Sequence, residues 1–202
     1  SSSVIFDKTV PTTTPTPLGG LYSSTQSVTL SSNEAASIYY TTDGSTPTTS
    51  SILYSGPISI STDTVLKFFA VDTTGNTETT HTESYTFDTV LPTLSSVSIS
   101  SDNTNPAKAK PGDTITVSFS SSENIQTPTV TIAGHSASVS GANSSWSATY
   151  QMQSGDTEGT VSFLISFSDL ASNAGTPVSS TTNASSVSFD KTLPTLSSVS
   201  IL

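Results

Sequence analysis

The sequence predicts an all-β chain made of two tandem antiparallel β-sandwiches joined end to end. Three observations predict it. Apolar residues alternate with polar ones over short runs bounded by Gly, Pro, Asn and Asp, and no window of ten or more residues carries a 3.6-residue period. A ten-residue phrase recurs: "SSVIFDKTVP" at 2–11 and "SSVSFDKTLP" at 185–194 agree at eight positions, and a diverged copy, "SYTFDTVLP", occupies 84–92. The phenylalanines of the three copies, Phe6, Phe87 and Phe189, stand 81 and 102 residues apart, each interval close to one compact sandwich domain.

The phrase therefore reads as a joint between modules. An alternating last strand, carrying Val187 and Phe189 in the final copy, stops at an aspartate. A proline, which has no N–H to give a ladder, stands five residues after each phenylalanine and opens the next strand. So few free residues predict neighbouring modules set end to end with limited swing. At about 3.3 Å per residue, strands of ~7 residues with their loops make a module roughly 40 Å long. The expected organisation is residues 1–10 as the end of a preceding module and its joint, 11–91 and 92–193 as complete modules, and 194–202 as the start of a following one. Residues 193–201 repeat "LPTLSSVSI" from 91–99. The ends of the chain thus imply the order second type, first type, second type, second type.

Strands follow from alternation between turn residues. In the first module they are predicted at 27–30, 37–41, 52–54, 57–60, 64–71 and 83–87; in the second at 94–99, 114–119, 129–132, 137–140, 145–152, 161–167 and 186–189. "VSFLISF" places Val161, Phe163, Ile165 and Phe167 on one face, and "WSATYQM" does the same for Trp146, Ala148, Tyr150 and Met152. Both are expected in a core.

Composition narrows the function. About two residues in five are Ser or Thr, yet the apolar residues are clustered and include eight Phe, six Tyr and Trp146, which favours folding over disorder. The basic residues are Lys8, Lys67, Lys108, Lys110 and Lys191, there is no Arg, and the net charge is −10. Such a surface repels phosphate backbones and offers no basic patch, so nucleic acid is excluded as a partner. Without cysteine there is neither a disulfide framework nor a thiolate metal site. No apolar run approaches the length of a membrane span, and Ser1 heads no charged-then-apolar signal segment.

The stretch "SIYYTTDGSTPTTSSILYSGPISISTDTVLKFFAVDTTGN", 37–76, resembles the chitobiase/hexosaminidase C-terminal-like domain, a small Ig-like β-sandwich of secreted bacterial enzymes and surface proteins. The resemblance lies in "YYTTDGSTPT", Tyr54 before "PISI", and a strand ending "LKFFAVD"; it extends over about 11–88, and "PLGGLYSSTQSVTLSS" looks like that family's opening strand. The second module resembles bacterial Ig-like domains of large surface proteins through "PGDTITVSFSSSENI", "VTIAG" and "FSDLASNAG", with Ser172 where Gly is usual. Both resemblances imply two tandem Ig-like modules, extracellular and without catalytic residues.

Catalysis fails on inventory. His81 and His135 lie in different modules, no nucleophile sits in a recognisable elbow, and Glu123 and Glu158 stand in polar loops with no partner visible in the sequence. The loop "TTDGST" reads as a hairpin turn rather than a sugar contact, because Gly44 permits positive φ and Asp43 bonds its own turn. Tyr39, Tyr40, Tyr54 and Trp146 have the ring faces to stack on sugars, but core packing explains each strand position as well. Lys67 falls opposite Leu66 and Phe68 in the alternation, a solvated lysine rather than an isopeptide donor. Asn143-Ser-Ser and Asn183-Ala-Ser are glycosylation sequons and also ordinary polar turns.

The remaining chemistry is oxygen. Asp72 with Asn76 and Asp169 with Asn173 form Asp-x-x-x-Asn loops entered from a core strand, and Asp7, Asp88 and Asp190 stand at the joints. Oxygen ligands and surplus negative charge suit Ca²⁺ rather than zinc; related surface families imply calcium at such loops and joints, with Asp88 and Asp190 the leading candidates. The competing reading is that these residues only cap their own turns. The expected function is a structural or adhesive spacer in a long tandem extracellular or cell-surface protein, not an enzyme, whose partners are neighbouring modules and cell-surface or glycan ligands. The alternatives are accessory, weakly glycan-binding modules of a secreted polysaccharide-degrading enzyme, or decoration of a virion or filament.

Overall fold

The structure is a computed structural model, described over residues 6–196. Most of the expected following module, 197–202, lies outside those residues, as do residues 1–5. The chain divides into two compact units, Ser1–Thr89 and Val90–Leu202. Both are built of strands, with no helix among the described residues, and hence none long and apolar enough to cross a membrane.

The first unit contains β1 (Thr13–Thr16), β2 (Gly20–Tyr22), β3 (Gln26–Ser32), β4 (Ala36–Thr41), β5 (Ile52–Leu53), β6 (Ile58–Ile60), β7 (Thr64–Asp72) and β8 (His81–Phe87). They form a three-stranded sheet, β1-β3-β6, and a five-stranded sheet, β2-β8-β7-β4-β5. Side chains of a strand alternate between faces. In β7 this sends Leu66, Phe68 and Ala70 inward, where they meet Val28, Leu30, Ile38, Ile58, Ile60 and Tyr85. Lys67 is on the other face, paired with Thr41 and Thr82. The chain turns at Asp43-Gly44, where Gly44 has φ 77° and Asp43 Oδ1 accepts from the Ser45 N–H, but it forms no tight hairpin, since residues 42–51 separate β4 from its partner β5.

The second unit contains β9 (Leu94–Ser101), β10 (Lys108–Ala109), β11 (Thr114–Ser121), β12 (Thr129–Ile132), β13 (His135–Ser136), β14 (Ser138–Ala142), β15 (Ser145–Gln151), β16 (Gly159–Thr160), β17 (Phe163–Ser166) and β18 (Ser188–Phe189). Its sheets are β14-β15-β11-β9, β13-β12-β17 and β10-β18-β16. Its core gathers the predicted faces: Val161, Phe163, Ile165 and Phe167 on one side, and Trp146, Ala148 and Met152 on the other. Trp146 is buried and donates its Nε1–H to Asn143 O. Its ring therefore belongs to the core.

Five strands depart from the alternation-based assignment. β1 is "TTPT", with no aliphatic or aromatic residue to mark it, and β2 is three residues long. β10, β13 and β16 are two-residue pairings, too short to show a period. Two of these short strands also break the antiparallel pattern, since β2 runs parallel to β8 and β10 parallel to β18.

Candidate functional site

The two Asp-x-x-x-Asn loops fold alike. Asp72 N donates to Asn76 O, Asn76 N returns to Asp72 Oδ1 at 2.8 Å, and Asn76 Nδ2 reaches Asp72 Oδ2 at 2.7 Å. Asp169 and Asn173 repeat all three bonds, the last two at 2.7 Å. The fourth residue is left-handed in both, Gly75 at φ 96° and Ser172 at φ 70°. Burial alone would raise the Asp72 carboxyl, but hydrogen bonds from Asn76 and Thr74 prevail and hold it at about 2. Both loops are thus closed by their own hydrogen bonds, as turn capping requires.

The first loop also gathers carboxylates. Asp7, Glu34 and Asp72 each bring an oxygen into a group lying within 4.8 Å of one another. Glu34 arrives because Ala36 on β4 pairs with Asp72 on β7. Its Oε1 is buried without a hydrogen-bond partner, and burial, with the charges of Asp7 and Asp72, raises its pKa. Asn76 Nδ2 additionally donates to Asp7 O at 3.3 Å. Oxygens of two or three carboxylates beside a main-chain carbonyl form a donor set suited to a hard cation. Near the second loop Glu123 brings a carboxylate oxygen within 4.8 Å of one on Asp169, which is buried. The sequence suggested neither glutamate as a metal ligand; only strand pairing brings Glu34 to a residue 38 positions later.

Two of the joint aspartates, Asp7 and Asp190, cap their own turns. Asp7 Oδ1 accepts from Thr9 N and Asp190 Oδ1 from Thr192 N, both at 2.8 Å, so the repeated "FDKT" makes the same turn in both copies. Asp88 N donates to Tyr22 O. Among the described residues Asp190 belongs to no group of three acidic or histidine side chains. The segment after it is held by Glu158, whose Oε1 accepts from Lys191 N and Thr192 Oγ1.

The histidines serve buried acids. Each imidazole lies flat on an aromatic ring, His81 on Phe68 and His135 on Tyr150, and directs Nε2 at a carboxylate. The distances are 3.3 Å to Glu78 Oε1 and 3.1 Å to Asp156 Oδ1, and both acid side chains are nearly inaccessible. Tyr40 and Tyr54 pack on the first core, while Tyr39 stacks on Phe69.

Residues 17–82 match the family model of the chitobiase/beta-hexosaminidase C-terminal domain. A search of curated proteins returned no match. Among solved structures, the Clostridium thermocellum CbhA fibronectin(III)-like modules align with TM-score 0.49 at 14% identity, covering 89% of this chain and 94% of that one. The D00-D0 domain of intimin aligns with TM-score 0.34 at 16% identity, covering 90% and 100%. Bacteroides ovatus SGBP-B of a mixed-linkage glucan utilization locus, in complex with a mixed-linkage heptasaccharide, aligns with TM-score 0.28 at 14% identity, covering 91% and 48%.

Proposed function

We propose that this chain is a non-catalytic segment of an extracellular or cell-surface protein, in which Ig-like modules act as structural or adhesive spacers. The observation that carries this reading is how the repeated joint phrase is held. Its first copy caps itself through Asp7 and receives Asn76 Nδ2 from the first unit's loop; its last copy caps itself through Asp190 and is bonded by Glu158 of the second. Joint segments tied into module loops suit a spacer, whose task is to hold its length.

Calcium belongs to this reading, with Asp7, Glu34 and Asp72 as carboxylate ligands and Asp169 with Glu123 as the weaker counterpart. Filling a site at 100 times its dissociation constant stabilises by about 2.7 kcal/mol. Millimolar calcium is therefore expected to raise the melting temperature of chelator-treated protein, and Glu34→Gln to lose most of that rise. Identical melting curves with calcium and with chelator would leave the loops as hydrogen-bonded turns alone.

A second reading has one observation in its favour: the matched family is named for chitobiase and hexosaminidase. In that reading the modules are accessories of a secreted polysaccharide-degrading enzyme. Affinity electrophoresis through gels containing soluble chitin derivatives or mixed-linkage glucan separates the two. A spacer migrates unretarded; retardation abolished by Tyr39→Ala would decide for the accessory module.

A further inference from the structure

Strand β9 is an edge of the four-stranded sheet, with β11 on one side only. Along Leu94–Ser101 it has no charged residue and no proline, the usual means by which an exposed edge is kept from pairing with another chain. Residues 181–185 cover it instead. Thr182 Oγ1 accepts the Val97 N–H at 2.9 Å, and Thr182 N donates to Val97 O at 2.9 Å. Ser185 Oγ accepts the Ile99 N–H at 2.9 Å.

This cover is not a strand. Three of its four bonds use side-chain hydroxyls, Thr182 Oγ1 also donating to Val97 O at 3.3 Å, and it is folded by its own contacts: Thr181 Oγ1 donates to Ser185 O, Ser185 N donates to Asn183 Oδ1, and Ala184 sits at φ 59°. Beside it lies a hollow of about 340 Å³ lined by Ile99, Pro106, Ala107 and residues 184–186. The two hydroxyls therefore imitate strand pairing at two N–H groups without bringing a strand.

We propose that residues 181–185 are a hydroxyl strap closing a strand-docking edge, and that the partner this edge accepts when the strap opens is β9 of a second copy of the chain. An antiparallel pair centred on Ser98 sets Val97 opposite Ile99 of the other copy, satisfying the N–H groups that the strap now occupies. It brings serines opposite serines at 96, 98 and 100, and no like charges meet in a protein whose net charge is −10.

The test is sedimentation of Thr182→Val/Ser185→Ala beside wild type over rising concentration, with the near-UV circular dichroism of Trp146 reporting the fold. The wild type is expected to remain monomeric and the double variant to double its mass. Adding Ser98→Lys, which sets two cations face to face across the pair, is expected to return it to monomer. A folded double variant that stays monomeric overturns the proposal, as does a wild type that is already dimeric. A dimer indifferent to Ser98→Lys overturns β9 as the partner surface. If the double variant fails to fold, hydrogen exchange on Ser185→Ala decides: the Ile99 amide is expected to lose protection while the Ser118 amide keeps it, and unchanged Ile99 protection overturns the strap.

Discussion

At the scale of the residue, two glycines with positive φ differ in kind. Gly75 has φ 96° and nothing within 4 Å of where a Cβ would stand, so Gly75→Ala meets backbone strain alone and is expected to cost about 1–2 kcal/mol. Gly141, at φ 136°, would place its Cβ 2.3 Å from Ser145 O, so alanine there adds a clash with β15 to the strain and is expected to cost more. Urea denaturation of the two variants gives the order. The acids differ in sign. Asp72 is held at about 2, so its contribution to stability is complete above its ordinary 3.8 and lost as pH falls from there towards 2. Burial raises Glu78, outweighing the Thr13 hydrogen bonds and His81, so it favours the folded state while protonated and that advantage is lost as pH rises above its ordinary 4.5. Melting temperatures from pH 2 to 8 are expected to show Asp72→Asn flattening the acid limb and Glu78→Gln gaining on wild type as pH rises. The Asp72–Asn76 turn was legible because its partners are four residues apart; Glu34 and the Thr13–Glu78 bond were not, because distant strands deliver them.

At the scale of the element, alternation revealed the strands long enough to have one. β7 and β11 bury every second residue along most of their length, and their bounds fell within two residues of the sequence assignment. β1 escaped because its buried positions are Thr13 and Pro15, which carry no apolar signature. What holds Thr13 is polar: its Oγ1 donates at 3.1 Å to Glu78 Oε2, tying the three-stranded sheet to the segment that enters β8. Thr13→Val keeps the shape and removes the donor, leaving a buried carboxylate oxygen unsatisfied. The expected loss is about 1–3 kcal/mol, and Thr13→Ser, which restores the hydroxyl, is expected to recover most of it. Equal stability of the valine and serine variants would mean that packing alone anchors β1.

At the scale of the whole molecule, each unit closes a core of its own: one cluster draws on Val28 to Tyr85, the other on Val97 to Phe189. A joint recurring at domain-sized intervals predicts that each interval buries its own apolar face. Leu66 and Ile165 are fully buried, one in each cluster. Truncating either to alanine removes packing that its neighbours only partly refill, at about 2–5 kcal/mol. For units of this size one kcal/mol moves a melting temperature by about 4–8 °C. Differential scanning calorimetry of Leu66→Ala and Ile165→Ala is therefore expected to displace different parts of the unfolding trace by roughly 10 °C or more. Leu66→Ala should move the component that also responds to Thr13→Val, and Ile165→Ala should leave that component in place. A single transition shifted equally by both substitutions would mean that the two cores melt as one, and that the repeat marks a sequence period without marking a unit of stability.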